Sequence, residues 1–93
     1  MTTGRGAPRT LAIANRRGLH ARAAAKFVKT AALYDAQVQV AKDGMQVSGQ
    51  SIMGLMMLAA GIGSTIEVSA EGPEAEAALD AIAALVEAKF EED

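Results

Sequence analysis

The sequence contains no cysteine and no tryptophan, and only one tyrosine and two phenylalanines among its 93 residues. The lack of cysteine excludes a disulfide framework and the thiolate ligands of common zinc sites. Few side chains remain that can take part in covalent chemistry. The single histidine, His20, is the main candidate, because imidazole can act as a nucleophile, a base or a ligand near neutral pH. Since no second histidine accompanies it, we expect neither a metal site nor a cofactor.

Long hydrophobic runs are also missing. The longest apolar stretch, Ile52–Ile62, is about half the length that a membrane span needs, and two glycines interrupt it. Residues 1–10 lack the apolar segment of a secretory signal. We therefore expect a cytoplasmic protein that does not contact membranes. The length suits one domain with one core, predicted over residues 9–93, after a flexible segment at residues 1–8.

The net charge of −2 conceals an uneven distribution of charge. The first 34 residues contain seven basic residues and no acidic one, whereas all eleven acidic residues follow from Asp35 onward. A positive region of this kind attracts anions, such as a phosphate or the acidic face of a partner protein. Nucleic acid is not expected as a partner, because the basic residues lack interleaved aromatics and the rest of the chain would repel a polyanion.

Hydrophobic periodicity predicts an α+β fold. Alternating patterns predict four strands, at residues 10–14, 37–40, 45–48 and 65–69. Asp43 and Gly44 tolerate positive φ, which predicts a tight hairpin between the second and third strands. Helices are predicted at residues 21–33, 52–58 and 74–90. The order β-α-β-β-α-β-α predicts a two-layer sandwich, with three helices on one face of a four-stranded antiparallel sheet.

His20 lies where the first helix should begin, in the segment Gly18-Leu19-His20-Ala21-Arg22. Histidine is a poor helix cap compared with Ser, Thr, Asp or Asn, so a purely structural role explains it badly. Gly18 allows the backbone to bend, and the free N–H groups of Ala21 and Arg22 would form an anion site. The Arg22 guanidinium can bind phosphoryl oxygens. The helix terminus and Arg22 both disfavour protonation of the ring, so these features favour a reversible phosphohistidine.

The environment of the histidine ring decides whether this hypothesis holds. No carboxylate precedes Asp35, so a residue that orients the ring as in a catalytic triad would have to come from a distant part of the chain. Two arrangements would be incompatible with phosphoryl transfer. In one, the ring is turned inward and closed off from solvent. In the other, a neighbouring carboxylate fills the site formed by the amides.

A second unusual segment is the short, apolar helix predicted after Ser51, a residue suited to cap it. If Leu55 and Leu58 face the core, three apolar side chains remain near the surface: Ile52, Met53 and Met56. Flexible methionine side chains suit a surface that must fit several partners, although methionine is about as often a core residue. Phosphorylation of Ser51 would add about −1.5 to −2 charges, which would oppose binding of an acidic partner.

Two motifs resemble those of one known family. Residues 18–28, GLHARAAAKFV, resemble the active-site signature of HPr, the phosphocarrier family of the bacterial phosphoenolpyruvate-dependent phosphotransferase system. Residues 50–56, QSIMGLM, resemble the family's regulatory-serine motif. The resemblance extends over about residues 9–90 and implies an open-faced β-sandwich. With its methionine-rich helix after Ser51, the sequence is similar to the nitrogen-related branch, NPr, and to HPr proteins of alphaproteobacteria. Many members have proline where this chain has Ala23, which leaves the first helical turn less preorganised.

The resemblance implies a function as a carrier rather than an enzyme. His20 would accept a phosphoryl group on Nδ1 from phosphorylated enzyme I and pass it to a histidine of an enzyme IIA-type acceptor. Arg22 and the amides of Ala21 and Arg22 would hold the phosphate. Ser51 would be the site of an HPr kinase/phosphorylase, where the host has one. We expect a monomer whose partners dock on six residues: Ala25, Lys26, Lys29, Ile52, Met53 and Met56.

An alternative is a docking module on the same fold that binds acidic proteins through Arg22, Lys26, Lys29 and the surface around Met53, without taking phosphate. The presence of His20 favours the carrier, because a module that only docks has no need of it. A small-molecule sensor is disfavoured, since so alanine-rich a core predicts no conspicuous ligand pocket.

Overall fold

The computed structural model describes residues 5–92. Its elements follow the predicted order: β1 (Arg5–Ala12), α1 (Ala21–Ala31), β2 (Gln37–Lys42), β3 (Met45–Ser48), α2 (Ile52–Met57), β4 (Thr65–Glu71) and α3 (Ala75–Glu87). A tight turn, Lys89–Glu91, comes after α3. The predicted fold class is therefore confirmed.

The four strands form one antiparallel sheet in the order β1-β4-β2-β3. The hairpin between β2 and β3 is confirmed: Asp43 and Gly44 have φ of 50° and 83°, and Lys42 pairs with Met45. Both values lie in the left-handed region that this type of two-residue turn requires.

The core lies between the sheet and the helices. Alternate residues of β4 are buried, as expected for a strand with one covered face. Apart from Phe27 and Phe90, the fully buried large side chains are mostly branched aliphatic residues: Ile13, Leu55, Ile66, Leu79, Ile82, Val38, Val40, Val68 and Val86. The helices supply many small residues, including Ala23, Ala24 and Ala31 of α1.

The first strand is longer than predicted. Residues 1–8 are expected to be flexible, but β1 begins at Arg5, and Gly6 pairs with Ala70 of β4. Pro8 lies where the register shifts between Gly6 and Arg9, a bulge that accommodates a proline without breaking the strand. The predicted start of the first strand at residue 10 is therefore wrong. Residues 1–4 lie outside the described part of the chain.

Contacts with α3 explain why this segment is ordered. The Arg9 guanidinium donates to Asp80 at 2.6 Å and to Glu76 at 3.2 Å, and the pairing with Asp80 raises the pKa of Arg9. The amide of Ala7 donates to Glu76 at 3.3 Å. The strand is thus held by pairing with the sheet on one side and by exposed charges of α3 on the other. The sequence of residues 1–9 indicates neither of these contacts.

The C-terminal helix ends earlier than predicted. It is expected to reach Phe90, but α3 ends at Glu87, and Lys89, Phe90 and Glu91 have φ of 56°, 55° and 62°. Left-handed conformations cost residues other than glycine roughly 1–2 kcal/mol each. Phe90 is fully buried in the turn, and burial of an aromatic side chain offsets such a cost. Lys89, directly before Phe90, is exposed.

Candidate functional site

The loop before α1 depends on Gly18, which has a left-handed φ of +68°. A Cβ atom at this position would lie 2.5 Å from the carbonyl oxygen of Ala60. The next amide, that of Leu19, donates to the same oxygen at 2.9 Å. Only glycine therefore permits the loop to dock against the segment that follows α2, and this docking fixes the position of His20.

His20 is the N-cap residue of α1, in an extended conformation, and its side chain makes no capping hydrogen bond. Its carbonyl oxygen accepts from the amide of Ala24 at 2.8 Å. Among residues 5–92, no acceptor is found for the first three amides of the helix, those of Ala21, Arg22 and Ala23. The positive end of α1 is thus open directly after the imidazole, the arrangement that binds anions.

Positive side chains surround this helix terminus. Arg22, the second residue of α1, is exposed and takes part in no salt bridge within the described part of the chain. Arg16 and Arg17, in the preceding loop, are exposed as well. Arg22 is therefore available to an incoming anion, whereas Arg9 is engaged with α3.

A carboxylate from the C-terminal segment contacts the ring. The His20 Nε2 lies 2.8 Å from Glu92 Oε2, and the other carboxylate oxygen, Oε1, accepts from Asn15 Nδ2 at 2.9 Å. Asn15 is fully buried, and its Nδ2 also donates to the carbonyl oxygen of Gly18 at 2.7 Å. The hydrogen bonds from Asn15 and from His20 lower the pKa of Glu92, and the positive charge of Arg17 acts in the same direction.

Neither arrangement that would be incompatible with phosphoryl transfer is present. The imidazole side chain keeps 16% of its surface exposed, so the ring is not closed off. The Glu92 carboxylate contacts Nε2 and leaves the amides of Ala21 and Arg22 without an acceptor among residues 5–92. Within the same residues, Nδ1 is the ring nitrogen without a hydrogen-bond partner.

The segment that carries Glu92 is anchored at two points. Phe90 is buried in the core, and its carbonyl oxygen accepts from the Lys26 ammonium at 2.7 Å. Lys26 also lies 3.7 Å from the Glu91 carboxylate. Lys26, expected to be a docking residue, thus holds the C-terminal turn against α1. Ala25 and Lys29 are exposed on the same helix.

Asn15 and Glu92 were not predicted as members of the site. Position 15 marks only the end of the first strand in the sequence pattern, and position 92 lies 72 residues beyond the histidine. No spacing rule connects these three residues, because it is the left-handed turn after α3 that brings Glu92 back to the start of α1.

Helix α2 presents the apolar surface that the sequence predicts. Leu55 and Leu58 are buried, and the Ser51 hydroxyl oxygen accepts from the Gly54 amide at 2.9 Å, which confirms the capping role. Five large apolar side chains are exposed on α2 and the loop after it: Ile52, Met53, Met56, Met57 and Ile62. The last two were not predicted. We call these five residues the α2 face.

One residue of the α2 face, Met56, lies beside the histidine. His20 and Met56 line one shallow depression, together with Arg17, Leu19 and residues 59–61. A partner that covers this depression would contact the imidazole and the apolar side chains of α2 at the same time.

Comparison with known proteins shows the family of this chain. Residues 7–88 match the family model described as the phosphotransferase-system HPr component phosphorylation site. The chain belongs to the HPr family, the phosphocarriers of the phosphotransferase system. It is 48% identical over 84 residues to the phosphocarrier protein HPr of Cupriavidus necator. The alignment covers 90% of this chain and 94% of that protein.

Other relatives extend the likeness. The phosphocarrier protein NPr of Shewanella violacea is 46% identical over 84 residues, covering 90% of this chain and 92% of that protein. A crystal structure of an HPr from Thermoanaerobacter tengcongensis superposes with a TM-score of 0.90 at 43% identity, covering 95% of this chain and 99% of that one. Because HPr and NPr proteins both match, the assignment to the NPr branch stays a prediction. None of the helices in the described part of the chain combines the length and the hydropathy that a membrane span requires.

Proposed function

We propose that this protein carries phosphoryl groups between two partners, taking them from phosphorylated enzyme I onto His20 and passing them to an enzyme IIA-type acceptor in the cytoplasm. One observation carries the proposal: His20 precedes a helix whose first three amides have no acceptor among the described residues, and Nδ1 has no partner there either. A nucleophilic nitrogen next to an open anion site is what a reversible phosphohistidine needs.

The transfer itself requires no proton to move. The lone pair on Nδ1 forms a bond to phosphorus as the bond between phosphorus and the donor breaks, and the electron pair of that bond stays with the donor. The amides of Ala21 and Arg22 and the Arg22 guanidinium would bind the phosphoryl oxygens, where they stabilise the transition state. Transfer to the acceptor is the same step in reverse.

The α2 face would supply the docking surface for both partners. Its Met56 lies beside His20, and the exposed Ala25 and Lys29 of α1 would extend it. The positive charges around the histidine favour partners with an acidic rim and speed their encounter. A carrier must release each partner after transfer, which suits transient complexes, and we propose that the protein acts as a monomer.

The proposed carrier is tested by mixing it with enzyme I, Mg²⁺ and phosphoenolpyruvate. The expected product is an adduct of one phosphoryl mass that is labile in acid and stable in base. His20→Ala should abolish it and Ser51→Ala should retain it. A label that survives His20→Ala would overturn the site. Binding of enzyme I without any adduct would support the alternative, a docking module that takes no phosphate.

We also propose that Ser51 is a regulatory phosphorylation site, for a kinase of the HPr kinase/phosphorylase type. Ser51 adjoins the α2 face, and phosphorylation would add about −1.5 to −2 charges there. Ser51→Asp keeps a favourable cap and should slow transfer from enzyme I by roughly tenfold or more, because a like charge would face an acidic partner. Ser51→Asn, which caps without charge, is the matched control. Equal rates for the two variants would remove the regulatory role.

A further inference from the structure

We propose that Glu92 is a positioning residue that keeps the hydrogen of the neutral His20 ring on Nε2, so that Nδ1 remains free to react, and that Asn15 sets the direction of this hydrogen-bond chain. The effect on transfer rests on the proposed function above. The position of the ring hydrogen does not, since it is a property of the unphosphorylated protein.

The chain of hydrogen bonds starts from a fixed acceptor. The carbonyl oxygen of Gly18 can only accept, so the Asn15 side chain must point its NH₂ group toward it, at 2.7 Å. The second hydrogen of the same NH₂ group then points to Glu92 Oε1, at 2.9 Å. Turning the Asn15 amide over would set two acceptors against each other at both contacts. Because Asn15 is fully buried, water cannot relieve that conflict.

The next hydrogen bond determines which nitrogen of the His20 ring carries the hydrogen. Ionised carboxylates only accept hydrogen bonds, and the lowered pKa of Glu92 keeps it ionised near neutral pH. At 2.8 Å from Glu92 Oε2, the His20 Nε2 must therefore be the donor. A neutral imidazole carries only one hydrogen, so its Nδ1 then holds a lone pair.

This arrangement matches the chemistry of transfer. When Nδ1 bonds to phosphorus, the hydrogen stays on Nε2 and the ring becomes positively charged. The Glu92 carboxylate lies beside that charge and would stabilise it. The opposite tautomer, with the hydrogen on Nδ1, has no lone pair at the nitrogen beside the open amides and cannot react there.

The C-terminal turn holds Glu92 in place. Phe90 anchors the turn in the core, and Lys26 donates to the carbonyl oxygen of Phe90 at 2.7 Å. Three consecutive residues, 89–91, keep left-handed φ values although none is glycine. Such conformations persist where the surroundings determine them, and they concentrate at functional sites. A carboxylate on an anchored segment orients the ring more firmly than one on a free tail.

Glu92→Gln and Glu92→Ala separate this role from a merely structural one. A glutamine side chain has one acceptor oxygen, and Asn15 claims it, so the glutamine NH₂ group faces the ring and favours the hydrogen on Nδ1. Alanine removes the contact without imposing the opposite tautomer. Glu91→Gln is the matched control, because it removes a neighbouring carboxylate that is 72% exposed and does not contact the ring.

Long-range ¹H–¹⁵N correlation spectra of the neutral ring report which nitrogen carries the hydrogen. We expect Nε2 in the wild type and in Glu91→Gln, mainly Nδ1 in Glu92→Gln, and a mixture in Glu92→Ala. With enzyme I, kcat for phosphorylation should fall roughly tenfold or more in Glu92→Gln and less in Glu92→Ala, while KM changes little. Amide spectra and unfolding midpoints verify that each variant is folded.

Two results would overturn the inference. If Glu92→Gln and Glu92→Ala keep the hydrogen on Nε2 as fully as the wild type does, Glu92 does not set the tautomer. If the tautomer shifts but kcat does not, Glu92 has no part in transfer. If the tautomer shifts as expected but neither the wild type nor any variant is phosphorylated, the hydrogen-bond chain is upheld and the proposed function is refuted.

Discussion

Helices α1 and α2 both begin after an extended residue, but those two residues serve their helices differently. Ser51 turns its hydroxyl oxygen back to accept from an amide of α2, as a capping residue should. His20 makes no such bond, and its ring instead contacts Glu92 from the far end of the chain. The start of α2 is therefore satisfied locally, whereas the start of α1 is left open.

The surroundings of the two helix starts also differ, in polarity and in how firmly the atoms are held. Around His20 the contacts are polar and directional, and the turn that supplies Glu92 is anchored by a buried aromatic ring. Around α2 the exposed surface is apolar. A site that performs chemistry needs fixed atoms, while a surface that meets several partners needs area and adaptability. The four predictions below test this division, in order of expected effect.

The anchor should matter far more than any single side chain of the α2 face. Phe90→Ala removes a fully buried ring and should lower the free energy of unfolding by about 3–5 kcal/mol. Met57→Ala removes a side chain that is 64% exposed and should cost less than about 0.5 kcal/mol. Urea denaturation measures both. Similar losses would mean that the two regions do not differ in packing.

The loop before α1 should depend on a glycine for two reasons rather than one. Gly18→Ala meets a left-handed φ and a contact of 2.5 Å with Ala60, so we expect a loss of about 2–4 kcal/mol in unfolding free energy. Gly44→Ala meets a positive φ of +83° with no atom within 4 Å and should lose only about 1 kcal/mol. Denaturant midpoints measure both losses. Equal losses would show that the close approach to Ala60 adds no cost to that of the positive φ at Gly18.

A capping side chain at position 20 should raise the stability of the protein, and loss of the cap at Ser51 should lower it. His20→Ser should be more stable than His20→Ala by about 1 kcal/mol, since both lack the imidazole and only serine can bond to the free amides. Ser51→Ala should lose about the same amount relative to the wild type. Thermal unfolding gives both differences. If serine and alanine at position 20 are equally stable, the amides of α1 already have acceptors.

The smallest effect should be the pH dependence that comes from Glu92. Its folded pKa lies below the ordinary value of 4.5, so its contribution to stability is full above that value and is lost as the pH falls through the folded pKa. The difference in unfolding free energy between the wild type and Glu92→Ala should therefore be present near neutral pH and shrink in acid. A difference that grows as the pH falls below the folded pKa would contradict the assigned direction.

The sequence was sufficient for the elements whose signals are local. The hairpin at Asp43-Gly44, the cap at Ser51 and the bend at Gly18 each follow from what a few neighbouring residues can do, and the structure shows all three. The start of β1 and the end of α3 could not be predicted in this way. Strand pairing with β4 orders residues 5–8, and burial of Phe90 imposes a left-handed turn on residues without glycine.

The candidate site divides along the same line. His20, Ala21 and Arg22 are adjacent in sequence, so their chemistry can be inferred from one short segment. Asn15 and Glu92 join them only because tertiary packing returns the chain end to the start of α1. Lys26 also holds that chain end, a contact that its neighbours in the sequence do not indicate, and its role in docking stays a prediction.

The account depends most on which ring nitrogen reacts. Protein labelled with ¹⁵N in its single histidine, once phosphorylated by enzyme I and phosphoenolpyruvate, can be examined for ³¹P–¹⁵N coupling. The account predicts coupling at Nδ1, with a hydrogen retained on Nε2 next to Glu92. Coupling at Nε2 would contradict it, because the phosphoryl group would then occupy the position that the Glu92 carboxylate holds.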